Sequence, residues 1–197
     1  QIKLEMERFP TFAERSVGVG QGAGGDYTLE IDEVCEDVVF AELEALSQSG
    51  ADFCAISEER GEVDFGSPAI KVVVDPIDGS LNAKRVAQSW SLSLALATGE
   101  TMADVVYGYV YDFGDGWEHK IKIEKVLPAT ESAQGAMCVG GENACPPEDV
   151  CGPPGYQYFL EAITDPTHEE HADMLAWCGD GFDPTEFDIE IVNRKLG

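Results

Sequence analysis

The run Val72-Val-Val-Asp-Pro-Ile-Asp-Gly-Ser80 constrains the fold of this chain more than any other segment. Its three valines are apolar and β-branched, which predicts a buried strand. Pro76 cannot donate to a strand ladder and Gly79 permits a tight turn, so we expect the strand to end within the run. Asp75 and Asp78 are therefore predicted to lie together at the carboxyl end of a strand, where open α/β sheets bind their ligands.

A second acidic segment, Ser57-Glu-Glu59, precedes this run. Residues 52–57 and 70–74 are predicted as neighbouring strands, which would bring Glu58 and Asp75 together. Clustered oxygen donors suit Mg²⁺, which takes a few carboxylates, keeps some of its waters and shares phosphate oxygens. The alternative interpretation is an acidic surface turn that binds nothing.

A helix is predicted over residues 29–47, with Thr28 as its N-cap. Its apolar stripe is formed by Ile31, Val34, Cys35, Val38 and Leu46. A short helix over residues 81–86 would place the backbone N–H groups of Gly79 and Ser80 at its N-terminus, where they could bind phosphate. Further strands are predicted over residues 90–98, 102–111 and 119–126, and further helices over residues 156–163, 169–178 and 187–196.

The composition predicts a folded protein with a strongly acidic surface. The chain of 197 residues is 44% hydrophobic, and its 38 acidic and 12 basic residues give a net charge of −26. The charge is spread evenly, with −13 up to Tyr111 and −13 after it. Such a surface repels nucleic acid and anionic membranes and attracts cations. A high-salt, halophilic cytoplasm would explain the bias, and so would selection for solubility.

The sequence also predicts a cytoplasmic protein. No segment approaches the ~20 apolar residues that span a bilayer. The first eight residues alternate charged and apolar side chains, and they lack the apolar core of a signal peptide.

The six cysteines fall into different settings. Cys35 and Cys54 lie among apolar residues and are predicted to be small core residues. A zinc site is an alternative for the cysteines and histidines near the C-terminus, namely Cys138, Cys145, Cys151, His168 and His171. Because these cysteines lack the usual Cys-x2-4-Cys spacing, reduced cysteines that pack a loop are favoured over zinc.

Residues from about 17 to 111 resemble the superfamily of Mg²⁺-dependent phosphatases that contains inositol monophosphatase and fructose bisphosphatase. The order and spacing of six segments carry the resemblance: Gly18-Val-Gly20, Thr28-Leu-Glu-Ile-Asp32, Ile56-Ser-Glu-Glu-Arg-Gly61, Val74-Asp-Pro-Ile-Asp-Gly-Ser-Leu-Asn-Ala83, Ser91-Leu-Ser-Leu-Ala-Leu96 and Val105-Val-Tyr-Gly108. The resemblance implies a partial layered sheet with helices, and hydrolysis of a small phosphorylated substrate such as an inositol phosphate or fructose bisphosphate.

The resemblance also implies a ligand set for Mg²⁺. Glu58, Asp75 and Asp78 would bind the ion, with the backbone carbonyl of Ile77 as a further ligand. Asp32 would help to hold an extra metal ion, or else would only complement the dipole of the helix that it begins.

The catalytic residues implied by the same resemblance are Glu58, Asp78 and Ser80. The hydroxyl of Ser80 takes the place of the group that orients the attacking water, and Gly79 and Ser80 would bind the substrate phosphate. Glu59 could act through a metal-bound water, or it could simply be exposed.

Three departures from the superfamily pattern predict impaired activity. A short stretch containing Pro10 replaces the usual long N-terminal helix. No Trp-Asp-x-Ala-Ala-Gly-type segment follows Tyr111, so the last metal-binding aspartate of the superfamily is missing. Gly24 also stands where these phosphatases have an aspartate in a Gly-Ala-Asp-Gly turn.

Residues from about 107 to 197 resemble a different family, the plasmid ORF-3-like proteins, which are often carried on mobile elements and whose biochemical role is unclear. The likeness rests on Tyr111-Asp-Phe-Gly-Asp-Gly-Trp-Glu-His119, Ala144-Cys-Pro-Pro-Glu-Asp-Val-Cys-Gly152 and the residues that follow, to Asn193. We therefore interpret the chain as a chimera with a mixed α/β fold. It would join a partial phosphatase-like domain, residues 1–111, to a small α+β part, residues 112–197.

The alternative function is a non-catalytic interaction module dominated by this second part. Its aromatic residues would form a core or a contact surface for a protein partner; they are Tyr111, Phe113, Trp117, Tyr156 and Trp177. Since the truncated sheet must find a new neighbour, an oligomer formed through an exposed sheet edge is also expected.

Overall fold

The structure, a computed structural model, describes residues 1–25, 27–87, 89–127, 136–179 and 181–196. The chain forms two compact units, Gln1–Val126 and Leu127–Gly197. Helices and strands together confirm the predicted mixed α/β class. Because one compact unit can contain sequence from both parts of a chimera, the division at residues 111 and 112 stays a prediction.

In its described residues, the first unit contains two sheets and three α-helices. Strands β1 (Gly18–Gln21) and β2 (Tyr27–Leu29) form an antiparallel pair. A five-stranded sheet has the order β3-β4-β5-β6-β7, with β3 at Phe53–Ser57, β4 at Gly61–Asp78, β5 at Ser91–Ala97, β6 at Val105–Asp112 and β7 at Glu118–Lys122. The helices are α1 (Ile2–Met6), α2 (Glu30–Gln48) and α3 (Ser80–Lys84), with 3-10 turns at Glu14–Ser16 and Met102–Asp104.

Strand β4 pairs with β3 twice. Ser57 of β3 faces Gly61 in an antiparallel register and Val74 in a parallel register, so the two halves of β4 lie on opposite sides of β3. Gly66 lies between these halves with a φ of +106°, a conformation that favours glycine. Because β3 and the second half of β4 run parallel, the turn after β3 and Asp75 reach the same edge of the sheet. The predicted pairing of these strands is confirmed.

The strand predicted over residues 70–74 is longer in the structure, although it still ends within the run 72–80. Strand β4 continues to Asp78, which faces Ser91 of β5, and the register is interrupted between Asp75 and Asp78. The missing N–H of Pro76 is tolerated because it falls within this irregular stretch. The tight turn at Gly79 is confirmed, since Gly79 has a φ of +95°.

Helix α2 begins one residue later than predicted, and Thr28 is not its N-cap. Leu29 occupies that position, and its backbone N–H donates to Asp32 Oδ2 at 3.1 Å. Leu46 does not belong to the buried stripe, because it is 48% exposed. The helix instead buries Ile31, Cys35, Glu36, Val39, Phe40 and Leu43.

The core of the first unit packs this face of α2 against α1 and the sheet. Cys35 is a core residue, and Cys54 is also buried, as predicted. Phe113 packs against the cluster, and its ring stacks on that of Trp90 with centroids 4.1 Å apart. Strand β7 lies at one edge of the sheet and ends at Lys122 rather than at residue 126.

Across the part of the second unit that the structure describes, there are three helices: α4 (Gly152–Thr164), α5 (His171–Cys178) and α6 (Ile189–Leu196). Helix α4 begins before the predicted residue 156, because prolines in the first turn of a helix sacrifice no hydrogen bond. Phe159 of α4 is 1% exposed and contacts the rings of Trp177 and Phe182 edge-on.

Candidate functional site

A cavity of about 210 Å³ in the first unit brings four carboxylates together. Asp32 comes from α2, Glu58 and Glu59 from the turn after β3, and Asp75 from β4. We call this cavity the carboxylate pocket. It is also lined by Tyr27, Leu29, Pro76, Ile77 and Ser80. Five of the residues predicted for the site therefore share one cavity: Asp32, Glu58, Asp75, Ile77 and Ser80.

Asp78 and Gly79 do not line the carboxylate pocket. Both line a separate surface cavity that also contains His119. The side chain of Asp78 is exposed, and its Oδ2 accepts a hydrogen bond from Ser93 Oγ at 3.0 Å. Their predicted roles in metal and phosphate binding stay predictions.

The carboxylate of Asp32 is only half satisfied. Its Oδ2 accepts from the Leu29 backbone, whereas its Oδ1 is buried and has no hydrogen-bond partner among the described residues. The pKa of Asp32 is raised from 3.8 to about 6, chiefly by burial and also by the negative charges of Glu59, Glu58 and Asp75, against the lowering effect of the Leu29 N–H. A bound cation would offset both the cost of burying the negative charge of Asp32 and its repulsion by the neighbouring carboxylates.

Asp75 is also in an unfavourable setting for a negative charge. Burial raises its pKa, and the charges of Asp78, Glu58 and Glu59 add to the rise. The Ile77 backbone N–H opposes the rise by donating to Asp75 Oδ1 at 3.0 Å. The backbone carbonyl of Ile77 accepts from Ser80 Oγ, also at 3.0 Å. The Asp75–Ser80 segment is thus ordered by its own polar groups.

The turn that carries Glu58 and Glu59 is attached to the β1–β2 hairpin. The Gly24 N–H donates to the Glu58 carbonyl at 2.8 Å, and the Ala23 N–H donates to the Glu59 carbonyl at 3.0 Å. The hydroxyl of Thr28, which is buried, donates to Glu59 Oε2. A Cβ at Gly24 would lie 3.2 Å from Glu58 Cγ, so a side chain there would press on a carboxylate of the pocket.

Thr28→Val is expected to lower the free energy of unfolding by about 1 kcal/mol, because it removes the hydroxyl that satisfies Glu59 while keeping the shape of the side chain. Urea denaturation measures the change. Thr101→Val is the comparison, since Thr101 bonds a carboxylate on an exposed turn. Equal effects of the two substitutions would contradict a special role of the Thr28 hydroxyl at the pocket.

Arg60 attaches the same turn to α2, and sequence reasoning missed this role. Its Nε lies 3.2 Å from Oε2 of Glu36, a side chain that is 2% exposed, and its Nη2 pairs with Asp37. The guanidinium also lies over the ring of Phe40, 4.4 Å from the centroid. The available signal was the helical spacing of Glu36 and Phe40, which places an acid on the apolar face of α2.

The residues of the carboxylate pocket fit a cation such as Mg²⁺. All of its polar side chains present oxygen atoms as possible metal ligands. The Oδ1 atom of Asp32, which accepts no hydrogen bond from the described residues, is available to bind a cation. Within the described ranges, no three His, Cys, Asp or Glu side chains are placed to hold one ion. Mg²⁺ does not require three, because it often binds through one or two carboxylates and retains several waters.

Two of the cysteines considered for zinc line different cavities. Cys145 lines one cavity of the second unit and Cys151 lines another. The backbone N–H of Cys138 donates to Asn193 Oδ1 at 2.7 Å, and all of these thiols are free.

Comparison with known proteins assigns the chain to a family. The family described as plasmid pRiA4b ORF-3-like protein matches residues 59–191, which is more than half of the chain. This chain belongs to the plasmid pRiA4b ORF-3-like family. The predicted likeness of its C-terminal part to this family is confirmed. The match also includes Asp75 and Ser80, whereas Asp32 and Glu58 precede it.

A relative of this ORF-3-like chain is the uncharacterized protein y4hQ of Sinorhizobium fredii. The two are 51% identical over 120 residues, which is 60% of this chain and 58% of y4hQ. The chain therefore spans less than two thirds of this relative.

The predicted likeness to the phosphatases is confirmed as well. A fructose-1,6-bisphosphatase/inositol-1-monophosphatase of Thermococcus kodakarensis is 36% identical over 113 residues, 56% of this chain and 41% of that protein. The crystal structure of the MJ0109 gene product, an inositol monophosphatase–fructose 1,6-bisphosphatase, matches with a TM-score of 0.50 and 26% identity, covering 62% of this chain and 46% of that one. The chain thus carries likeness to two families and spans less than half of these phosphatases, which is consistent with a chimera.

The helices are short or polar. None within the described parts of the chain combines the length and the apolar character that crossing a bilayer requires.

Proposed function

We propose that this ORF-3-like chain binds Mg²⁺ in the carboxylate pocket and hydrolyses small phosphate monoesters of the inositol phosphate or fructose bisphosphate class. One observation carries the proposal: four carboxylates share a cavity that no described basic side chain lines. Such a concentration of negative charge is unfavourable unless a cation neutralises it. The relationship to phosphatases supports the choice of reaction. A cytoplasmic location and a high-salt setting stay predictions.

One or two of the carboxylates of Asp32, Glu58 and Asp75 would bind the ion directly, together with the backbone carbonyl of Ile77, and the remaining carboxylate would act through the waters that the ion retains. When bound, Mg²⁺ supplies Lewis-acid activation of water and neutralises charge on the phosphoryl oxygens. Asp78 would first have to give up its hydrogen bond with Ser93 before it could contribute.

Ser80 is proposed to orient the attacking water. Its hydroxyl proton is engaged by the Ile77 carbonyl, so its oxygen lone pairs remain able to accept a hydrogen bond from water. Phosphate binding by the backbone of Gly79 and Ser80 stays a prediction, because α3 has only five residues and therefore a weak dipole. We expect slow turnover, since small errors in the placement of reacting groups cost rate heavily.

A non-catalytic interaction module is the second candidate. It is favoured by the family match, which covers residues 59–191 and so includes the whole of α4 and α5. On this alternative the carboxylate pocket would be a remnant that binds a cation without catalysis.

The test is phosphate release from inositol monophosphate and fructose 1,6-bisphosphate by the full chain in molar KCl, with and without Mg²⁺. We expect Mg²⁺-dependent release by the wild type and an increase in its thermal unfolding temperature on adding Mg²⁺. Asp75→Asn is expected to abolish both responses, because it removes one of the negative charges that line the pocket. Asp78→Asn tests separately whether Asp78 belongs to the site.

Glu42→Gln is the matched control, since it removes one negative charge from an exposed position of α2 outside the pocket. It should retain both responses. Stabilisation by Mg²⁺ without phosphate release would favour the interaction module. Equal release by the wild type and Asp75→Asn, or no response to Mg²⁺ beyond that of added KCl, would refute the proposed site.

A further inference from the structure

The second unit contains a cavity that the proposed phosphatase function does not use. It has a volume of about 540 Å³ and lies among α4, α5 and the loop that precedes α4. Cavities of this size hold small organic molecules in many proteins.

Most of the wall is apolar and aromatic. Val150 and Phe159 are buried and form its floor, and Tyr158, Met174 and Trp177 also line it. Trp177 contacts Phe159 edge-on, with ring centroids 5.8 Å apart, yet it remains 49% exposed. The hydroxyl of Tyr158 donates to Glu170 at 2.9 Å, which fixes the position of its ring. An aromatic or aliphatic group could therefore pack here.

Two carboxylates interrupt this apolar wall. Asp149 comes from the loop before α4, and Asp173 comes from the first turn of α5. Neither carboxylate has a hydrogen bond or an ion pair among the described residues. No basic side chain of the described residues lines the cavity. Between residues 127 and 197 the sequence has 14 acidic and 2 basic residues, so the surroundings reinforce the negative potential.

We infer that this cavity binds a small organic cation, namely an ammonium group carried on an aromatic or aliphatic body. The carboxylates of Asp149 and Asp173 would pair with the ammonium through charge-assisted hydrogen bonds. The exposed ring of Trp177 would add apolar contact and a cation–π interaction. A neutral molecule would gain only the apolar part, and an anion would be repelled. The inference is independent of the phosphatase proposal, since it uses only residues of the second unit.

The test compares three probes with the same body: 4-phenylbutylammonium, 4-phenylbutanol and 4-phenylbutyrate. Isothermal titration calorimetry on the full chain at pH 7 is expected to show the ammonium binding about tenfold more tightly than the alcohol, as a net gain of about 1.4 kcal/mol implies. The butyrate is expected not to bind. Asp173→Asn and Asp149→Asn should weaken ammonium binding toward that of the alcohol without changing the alcohol's affinity. Trp177→Ala should weaken both.

Glu161→Gln is the matched control, because Glu161 lies on α4 outside the cavity and the variant retains a partner for Gln157. It should leave all three affinities unchanged. Asp149 has a φ of +58°, a region that asparagine tolerates, so Asp149→Asn should fold normally. Circular dichroism checks this.

Several results would overturn the inference. One is equal affinity for the ammonium and the butyrate. Another is that the folded wild type does not bind the ammonium at millimolar concentration. A third is that Glu161→Gln and Asp173→Asn lose the same affinity for the ammonium. Binding of a basic peptide without binding of the free ammonium would also overturn it. So would a dimer in sedimentation that Trp177→Ala dissociates, because a second copy of the chain would then occupy the cavity.

Discussion

Arg60→Met is expected to lower the free energy of unfolding by about 2–3 kcal/mol. The substitution leaves the carboxylate of Glu36, which is 2% exposed, without its cationic partner in the core, and it removes the guanidinium that lies over Phe40. Loss of one partner from a buried ion pair costs about 3–5 kcal/mol, and the 35% exposure of the Arg60 side chain reduces this value. Urea denaturation at pH 7 measures the change.

The double variant Arg60→Met/Glu36→Met should regain most of the lost stability, because it replaces the ion pair with apolar packing. Arg8→Met is the control for a surface pair: Arg8 pairs with Glu5, is 65% exposed, and should contribute about 1 kcal/mol or less. If Arg60→Met lowered the free energy of unfolding as little as Arg8→Met does, the ion pair that links the turn to α2 would contribute little to stability. Arg60→Met should also weaken the Mg²⁺-induced rise in unfolding temperature, since the turn it releases carries Glu58.

Asp32→Asn is expected to raise the stability of the metal-free protein at pH 7 by about 1–2 kcal/mol. In the folded state the pKa of Asp32 is about 6, against 3.8 for the ordinary side chain, so protonation favours the folded state. The stabilising contribution of the protonated form is complete below about pH 4, is lost as the pH rises to about 6, and stays lost above that. A shift of about two pKa units corresponds to roughly 3 kcal/mol, and partial exposure of the group reduces this value.

The gain from Asp32→Asn should therefore disappear as the pH falls from about 6 to 4 in denaturation curves measured without Mg²⁺. Asparagine retains an oxygen that can accept from the Leu29 N–H, so the cap of α2 survives. Asp32→Ala loses this cap and should be less stable than Asp32→Asn by about 1 kcal/mol. A stability difference between the wild type and Asp32→Asn that does not vary with pH would show that burial and repulsion do not strain this carboxylate.

Local patterns in the sequence were sufficient to predict most elements of the first unit. The strand at residues 72–74, a helix beginning within one residue of α2 and the tight turn at Gly79 were predicted, because each depends on side chains that are adjacent or one helical turn apart. The predicted burial of the three valines is wrong for Val73, which is 41% exposed. Helix α1, the β1–β2 pair and the first half of β4 were not predicted. For the elements that were predicted, the errors lie mainly at their ends, where local signals compete. Thr28 was a reasonable N-cap by residue type, but its hydroxyl bonds Glu59, which is distant in sequence.

The candidate site was also predictable only in part. The motifs around Glu58 and Asp75 predicted that these carboxylates meet, because parallel neighbouring strands end at the same edge of a sheet. The position of Asp78 was not predictable in this manner. Its side chain points to Ser93 only because β4 continues past Pro76 and pairs with β5.

The sequence by itself determined which residue types are available: the acidic motifs, the apolar strands, the turn glycines and a net charge of −26. Only the tertiary structure decided which of the acids are buried and paired. Glu36 is buried because β4 pairs with both sides of β3 and the turn between them brings Arg60 to α2, whereas Glu42 on the same helix remains exposed. The burial of a charge depends on a partner from a distant segment, and neither local propensity nor spacing along one helix contains that information.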